Sequence, residues 1–245
     1  MKNLIVLFFV LMAFVSCSKN DDTKTPPPDL INMNQVLEDF IAAHPNVPSI
    51  SMAAVKDGEV IYSYGAGFYD VDGTKTPDEN TLYVTSSMAK LIVAVAVMQQ
   101  VEQGALDIDD DVSNYIGFQV RNPNFPETVI TTRMLMQHSA SLANPNFGEV
   151  IDDVFFGYEP DSIIQLHPLI EDIVTPGSPV YMETIWMNAE PGTVYKNSNY
   201  GITMLGYLVE HLSGQHFNDY SKTNIFEPLG MDHSSYYYPD LAPDN

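Results

Sequence analysis

The chain has 245 residues, of which 45% are hydrophobic and 11% aromatic, so it can bury the core of one large domain or of two small ones. Ten Lys and Arg residues stand against 32 Asp and Glu residues, and the formal net charge is −22. A charge of this sign repels the phosphate backbone, which argues against a nucleic-acid partner.

The N-terminal residues have the pattern of a targeting segment. Lys2 precedes an apolar run over residues 4–15, which is too short to span a bilayer comfortably but suits a signal peptide. The run ends at Ser16, followed by Cys17, the only cysteine in the chain. This junction resembles the lipobox of bacterial lipoproteins, although Phe14 stands where a leucine is usual. The alternative is a plain secretory signal with an incidental cysteine.

We therefore predict a signal peptide over residues 1–16, a lipidated Cys17, and a flexible, proline-rich tether over residues 17–30. Several acyl chains at one N-terminus would anchor the protein stably to a membrane. The expected location is the bacterial cell envelope, as an outer-membrane lipoprotein on its periplasmic or surface face.

The folded domain is predicted to cover residues 31–245. Apolar residues at helical spacing predict a helix over residues 33–44. The next segment, residues 49–68, has two β-rich runs on either side of Asp57-Gly58, which is a strong signal for an antiparallel hairpin.

An almost uninterrupted apolar run over residues 86–104 follows the hairpin. The run is too long for a strand, so it predicts a buried helix that begins near Ser86 and Ser87 and ends at Gly104. The acidic segment after it, residues 106–117, predicts a solvated turn because its Asp residues lack the ligand spacing of a calcium loop.

The remainder of the chain is mostly helical in pattern. Helices are predicted over residues 130–142, 200–214 and 218–231, the last of them ending at Pro228. Residues 143–190 are rich in prolines and aromatic residues and are predicted to be mostly loops. One helix, one hairpin and a large helical region indicate an α+β fold.

Ser87 and Lys90 are candidate catalytic residues because they lie three positions apart at a helix start and project from one face. A serine hydroxyl needs a nearby base to be a nucleophile at neutral pH. Burial lowers the pKa of a lysine, and the positive end of the helix disfavours the protonated form. Free N–H groups of the first turn could donate to an oxyanion. The spacing is therefore compatible with acyl transfer.

Alone, Ser-x-x-Lys is a weak signal that favours a serine capping the helix and a lysine snorkelling from it. Six blocks in the same order favour catalysis, because they resemble the serine β-lactamase and penicillin-binding-protein superfamily, in particular its class C-like branch. The blocks are VKDGEVIYSYGAGF, TLYVTSSMAK, QQVEQGALDIDDDVSNYI, ITTRMLMQHSASL, PGTVYKNSNYGITMLGYLVEHLSG and IFEPLGMDHS. The resemblance covers about residues 45–236, and in it His138 matches a position taken as structural.

The resemblance implies a β-lactamase/transpeptidase-like fold, in which an antiparallel sheet packs with a large helical region. It implies a serine hydrolase that acts on amide or ester bonds through an acyl-Ser87 intermediate, with Lys90 as the base. The expected substrate is a β-lactam, a D-amino-acid peptide or a small ester, and the expected substrate-binding residues are Ser86, Asn199 and Tyr200. No cofactor is expected, and the histidines show no metal-binding spacing.

The family's second motif, Tyr-x-Asn, can be placed in two ways. Spacing to the flanking blocks favours Asn197-Ser198-Asn199, which puts Asn197 at the tyrosine position and Asn199 at the asparagine position. The resemblance therefore implies Asn197, Asn199 and Tyr195 as catalytic residues beside Ser87 and Lys90. A slip of two residues would place the motif on Tyr195-Lys196-Asn197 instead. In the first placement proton transfer falls on Lys90, or on Tyr195 or Tyr200 reaching into the site.

The family's third motif, a Lys-Thr-Gly or His-x-Gly triplet that also supplies an oxyanion donor, has no match after IFEPLGMDHS. The expectation is a domain that lacks its C-terminal part, with an incomplete sheet. Two alternatives to an active hydrolase follow: a catalytically impaired sensor or ligand-binding pseudoenzyme, and a non-functional fragment. The oligomeric state stays open.

Overall fold

The structure is a computed structural model, and it describes residues 32–78, 80–145 and 166–237. Contacts divide the chain into two compact units, one ending at Thr81 and the other beginning at Leu82. The predicted signal peptide, Cys17 and the tether lie outside the described residues. Within the described ranges, no helix combines the length and the apolar character that a membrane crossing needs.

The N-terminal unit contains one helix and one hairpin in its described part. Helix α1 (Met33–Ala43) is followed by the antiparallel strands β1 (Ser49–Lys56) and β2 (Glu59–Gly67). Asp57 and Gly58 form the turn with φ values of 53° and 83°, the positive angles that a tight two-residue hairpin requires. Both sequence predictions for this region are confirmed.

The C-terminal unit is helical in its described residues. Its helices are α2 (Lys90–Glu102), α3 (Ser113–Ile116), α4 (Thr132–Met136), α5 (Leu166–Val174), α6 (Asn199–Ser213) and α7 (Phe217–Ser221). Short turns adjoin them: the 3₁₀ turns Ser86–Ala89, Glu183–Ile185 and Glu227–Leu229 and the π-helical turn Lys222–Phe226.

Helix α6 is the centre of this unit. It contacts α2, α3, α4, α5 and α7, and its Met204, Leu205 and Leu208 are at most 1% exposed. Ser198 caps its first turn by accepting from the N–H of Gly201, and Gly214 ends it in the left-handed region at φ 70°. The predicted helix 200–214 is confirmed, and its first turn lies beside the loop that carries Asn197.

Four predictions for the helical region were wrong in part. The helix predicted over residues 130–142 covers only Thr132–Met136. The acidic segment 106–117, predicted to be a solvated turn, contains α3 and buries Leu106, Val112 and Ile116 in the core.

The helix predicted over residues 218–231 is α-helical only in α7, which ends at Ser221. The π-helical turn Lys222–Phe226 follows, and Pro228, which has no N–H to donate, lies in the 3₁₀ turn Glu227–Leu229. Within the predicted loop stretch 143–190, α5 is a helix with Pro168 near its start. Its apolar residues at helical spacing are the signal that could have identified it.

Helix α2 is less buried than its sequence predicts. Val93, Ala96 and Val97 point into the core and are at most 5% exposed. Leu91 and Met98, on the other side, are 68% and 44% exposed. A helix that is apolar on every side is expected to be buried on every side. The uniformly apolar sequence of α2 therefore gave no sign that only one of its faces packs against the core of this unit.

Candidate active site

Ser87 and Lys90 contact each other directly. The Lys90 Nζ donates to the Ser87 Oγ at 2.9 Å. Ser87 lies in the 3₁₀ turn Ser86–Ala89 and Lys90 is the first residue of α2, so the helix begins with a tighter turn than predicted. In a 3₁₀ turn the side chains at i and i+3 eclipse each other, which explains how so short a span brings the two groups together.

The Ser87 hydroxyl faces an open cleft of about 680 Å³. Eight residues line the cleft: Ser87, Ala143, Asn144, Pro145, Tyr195, Lys196, Asn197 and Asn199. Four of the residues predicted from the sequence as catalytic are in this set, and Lys90 is bonded to one of them. A nucleophile and a basic group are therefore placed together at the mouth of a space that a small molecule can enter.

Segment 195–199 forms one wall of this cleft, and two of its backbone N–H groups donate hydrogen bonds to His138. The His138 carbonyl accepts from the N–H of Lys196 at 2.7 Å, and its Nδ1 accepts from the N–H of Ser198 at 3.2 Å. The Tyr195 ring stands edge-on to the His138 ring, with centroids 5.9 Å apart. The pKa of His138 is lowered, first by burial of the ring and then by the charge of Lys90.

The side-chain amide of Asn144 makes two hydrogen bonds to the backbone of the same wall. Its Nδ2 donates to the Asn197 carbonyl at 2.9 Å, and its Oδ1 accepts from the N–H of Asn199 at 2.7 Å. One amide side chain therefore satisfies backbone groups two residues apart, where the loop enters α6. Both Asn197 and Asn199 are fixed in the wall by this contact.

Both placements of the Tyr-x-Asn motif lie in the cleft, since Tyr195, Asn197 and Asn199 all line it. The structure brings these three residues to Ser87 without choosing which one stands at the tyrosine position. A tyrosine hydroxyl is available in the wall in either case, because 69% of Tyr195 is exposed.

Two of the predicted substrate-binding residues are placed differently from expectation. Tyr200 is only 2% exposed, and its hydroxyl donates to the Pro145 carbonyl at 3.1 Å, so it belongs to the core behind the cleft and cannot reach a substrate. Burial raises its pKa. Ser86 is exposed, with φ 48°, but it is not among the residues that line the cleft. Asn199 is the predicted substrate-binding residue that does line it.

Sequence reasoning missed four residues that line the cleft: Ala143, Asn144, Pro145 and Lys196. Asn144 lies two positions after the end of the block ITTRMLMQHSASL, which was the available signal. Its contacts are with residues more than 50 positions away, and no local pattern encodes them. No group of three His, Cys, Asp or Glu side chains suited to a metal ion occurs in the part of the chain that the structure describes.

The sequence profile of the Beta-lactamase family matches residues 36–245, which is most of the chain. The chain belongs to the β-lactamase family. Penicillin-binding proteins are among its relatives: it is 29% identical over 185 residues to the putative penicillin-binding protein PbpX of Bacillus subtilis, covering 75% of this chain and 40% of PbpX.

Solved structures confirm a β-lactamase/transpeptidase fold. The octameric penicillin-binding protein homologue from Pyrococcus abyssi superposes with a TM-score of 0.71 at 30% identity, over 86% of this chain and 46% of that one. The D-amino acid amidase of Ochrobactrum anthropi SV3, in complex with L-phenylalanine amide, superposes with a TM-score of 0.60 at 21% identity, over 82% of this chain and 51% of that one. The sheet of the described residues is the β1–β2 hairpin, a partial form of this fold.

At family level the chain is β-lactamase-related and similar to penicillin-binding proteins. It spans about 40% of the length of the curated relatives that it matches and about half of the solved structures. The activity and substrate of the whole protein are therefore proposals.

Proposed function

We propose that this protein is a serine hydrolase that cleaves amide or ester bonds through an acyl-Ser87 intermediate. The observation that carries the proposal is the 2.9 Å contact between the Lys90 Nζ and the Ser87 Oγ at an open cleft. An activated serine needs a base within hydrogen-bond reach, and the base must be free to exchange its proton with the reacting groups.

In the proposed reaction, a neutral Lys90 amine takes the hydroxyl proton as the Ser87 Oγ attacks the carbonyl carbon of the substrate. The backbone N–H of Ser87 donates to the oxyanion that forms. The proton then passes to the leaving amine or alcohol as its bond to the carbonyl carbon breaks. Water releases the acyl group in the second half, with the same base accepting its proton.

The wall residues take separate parts in this proposal. Tyr195 offers a hydroxyl that can relay the proton from Lys90 to the leaving group. Asn197 and Asn199 carry side-chain amides that can bind the substrate amide or ester, and neither can act as a base at neutral pH. The substrate class is a β-lactam, a D-amino-acid peptide or a small ester, and the likeness to a penicillin-binding protein and to a D-amino acid amidase supports it.

A fluorophosphonate probe tests the nucleophile. The full chain should become labelled at one serine, Ser87→Ala should abolish labelling, and Ser86→Ala, a matched change at the adjacent residue, should leave it in place. Labelling that survives in Ser87→Ala would remove the basis of the proposal. Hydrolysis of a chromogenic cephalosporin, a D-alanyl amide and a short-chain ester by the same preparations would then rank the three substrate classes.

A second candidate function is a ligand-binding sensor that acylates without turnover. The observation in its favour is that Asn197 lines the wall at the spacing where the family carries its tyrosine. A fluorescent penicillin distinguishes the two candidates: label that forms on Ser87 and never clears supports the sensor, and label that clears supports the hydrolase.

We also propose that the protein is held in the bacterial cell envelope by a lipid on Cys17. The support is the apolar run that ends at Ser16 and the polar segment that follows. Metabolic labelling with an alkyne fatty acid should mark the wild-type protein, and Cys17→Ala should lose the mark and leave the membrane fraction. An unmarked wild-type protein would contradict this location.

A further inference from the structure

His138 makes two hydrogen bonds to the wall that carries Asn197. Its backbone carbonyl and its ring Nδ1 accept from the N–H groups of Lys196 and Ser198, which flank Asn197 on both sides. The two residues that flank Asn197 are therefore both tied to His138, one through its backbone carbonyl and one through its ring. No other described residue contacts both flanks of Asn197 in this way; Asn144 binds the Asn197 carbonyl and Asn199 instead.

The backbone of His138 is in an uncommon conformation that makes this double contact possible. Its φ is 56°, in the left-handed region, just after α4 ends. Histidine, asparagine and aspartate are enriched several-fold in that region relative to other non-glycine residues. Position 138 therefore needs a residue that tolerates the left-handed region and whose side chain accepts a hydrogen bond from the backbone N–H of a residue 60 positions away.

The ring can accept from Ser198 only when Nδ1 carries no proton, because a protonated imidazole is a donor at both nitrogens. We propose that His138 is a positioning residue for the reaction at Ser87: its neutral ring holds segment 196–198 against the cleft, and protonation of the ring releases that segment. The inference rests on the proposed function for its effect on rate, but the contact itself can be measured without any substrate.

The surroundings of this ring favour its neutral state. Burial and, after it, the charge of Lys90 at the start of α2 lower the pKa of His138 below its ordinary value of 6.5. The Tyr195 ring and the backbone N–H of Ser198 are the other neighbours of the imidazole in the wall. Because the pKa is lowered, the contact is complete at neutral pH and is lost only as the pH falls through that lowered value.

The ring and the reactive pair are linked electrostatically. A proton on His138 would place a second positive charge near Lys90, so the two groups resist carrying protons together. Protonation of His138 therefore loosens the wall and adds a positive charge beside the reactive pair, and both effects require an imidazole at position 138.

Two variants separate the ring's acceptor from its titration. His138→Ala removes the acceptor. His138→Asn keeps an oxygen close to the position of Nδ1, tolerates the left-handed backbone and cannot be protonated. The readout is hydrogen exchange of the Ser198 amide in the full chain, corrected for its intrinsic rate at each pH. Wild type should be protected at pH 7.5 and lose protection as the pH falls through the lowered pKa of His138, whereas His138→Asn should stay protected and His138→Ala should be unprotected throughout that range.

The rate of fluorophosphonate labelling of Ser87 is the second readout. His138→Ala should be slower on the order of 10- to 100-fold, as for a misplaced catalytic wall, and His138→Asn should recover most of that loss. The labelling rate should fall more steeply in acid in wild type than in His138→Asn, because only wild type can lose the wall by protonation of residue 138.

Equal Ser198 protection in wild type and His138→Ala would overturn the positioning role. So would a pH-independent protection in wild type. Failure of the proposed function looks different: Ser87 would not be labelled in any variant, while the protection of Ser198 would still follow residue 138. Circular dichroism on His138→Ala distinguishes loss of the wall from loss of the fold.

Discussion

Asn122 donates a hydrogen bond of 2.8 Å to the hydroxyl of Ser141, and both side chains are buried. The second N–H of the Asn122 amide reaches the Met187 carbonyl at 2.8 Å, and the Ser141 hydroxyl donates to the Ala189 carbonyl at 2.5 Å. Segment 187–189, which leads to the wall of the cleft, is therefore anchored by polar groups that satisfy one another. A satisfied buried network of this kind rigidifies what it holds.

Two variants of Ser141 separate the stabilisation by its hydroxyl from the strain in its backbone. Ser141 has φ 61°, so Ser141→Ala keeps the strained backbone and loses the hydroxyl, leaving an N–H of Asn122 unpaired. We expect a loss of about 2 kcal/mol in the free energy of unfolding. Ser141→Gly loses the same hydroxyl but relieves the strain, and we expect about 1 kcal/mol less damage. Urea unfolding checks both, and an equal loss in the two variants would contradict the strain.

Asp111 should stabilise the fold at neutral pH and lose that effect in acid. Hydrogen bonds from Arg121 hold the pKa of Asp111 below its usual value of 3.8 against the opposing effect of burial, and the two side chains are 15% and 19% exposed. A lowered pKa means that the stabilisation is present above pH 3.8 and disappears as the pH falls through the folded-state value. Asp111→Asn should cost about 1–2 kcal/mol at pH 7.

The matched control for Asp111 is Asp109→Asn. Asp109 pairs with Arg133 in two hydrogen bonds, but both side chains are largely exposed, so solvent and salt weaken the pair. Chemical unfolding at pH 7 and at pH 3 should show a gap between wild type and Asp111→Asn that narrows in acid. A gap of the same size for Asp109→Asn would argue against burial as the cause.

Lys90 should be required as a base and not merely as a charge. Lys90→Arg keeps a cation near Ser87 but cannot release its proton, whereas Lys90→Gln removes the charge. Both should lower the rate of Ser87 acylation on the order of 10² to 10⁴-fold. Stopped-flow labelling measures the rate, and an active Lys90→Arg would show that the charge alone suffices.

Tyr195→Phe addresses the two placements of the Tyr-x-Asn motif. If Tyr195 relays the proton, its loss should slow acylation by at least about 10-fold, and Asn197→Ala should affect mainly the binding of an amide substrate. If the motif lies on Asn197-Ser198-Asn199, Tyr195→Phe should leave the acylation rate within about twofold of wild type. Single-turnover kinetics with one ester and one amide gives both rate and affinity.

Asn144 should affect the cleft through both ends of its side chain. Asn144→Asp keeps the acceptor for the Asn199 N–H but loses the donor to the Asn197 carbonyl and sets a negative charge against it. We expect acylation to fall further in Asn144→Asp than in Asn144→Ala at pH 7, because the carboxylate actively repels the carbonyl oxygen. Labelling rates at pH 7 and pH 4 check this, since protonation of the new carboxyl should reduce the difference.

Tyr200 should behave as a structural residue. Tyr200→Phe removes the hydroxyl that donates to the Pro145 carbonyl but keeps the buried ring. We expect a loss of about 1 kcal/mol in the free energy of unfolding and an unchanged affinity for substrate. A weakened substrate affinity with unchanged stability would indicate that Tyr200 contacts the substrate and would contradict this prediction.

The sequence predicts well what local chemistry decides. The Asp57-Gly58 turn, the end of α6 at Gly214 and the Ser87–Lys90 spacing all follow from rules that act over a few residues. The resemblance then supplied the family, which the sequence profile confirms.

What the sequence did not predict depends on distant partners. The burial of Tyr200 and the bridging role of Asn144 come from contacts 55 positions apart, and no local pattern reports them. The exposed face of α2 was not predicted for a related reason. A helix with apolar residues on both faces has the same sequence pattern whether the protein covers one face or both.

The contact between Ser87 and Lys90 and the contacts that hold the wall differ in the sequence separation of the residues they join. Ser87 and Lys90 are three positions apart, whereas the contacts of His138 and Asn144 with the wall close loops of 60 and 55 residues. Closing a loop costs entropy that grows with its length, so the pair can form as soon as the first turn of α2 does, and the wall must wait for the tertiary fold. During folding, the nucleophile would meet its base well before the cleft that selects a substrate has assembled.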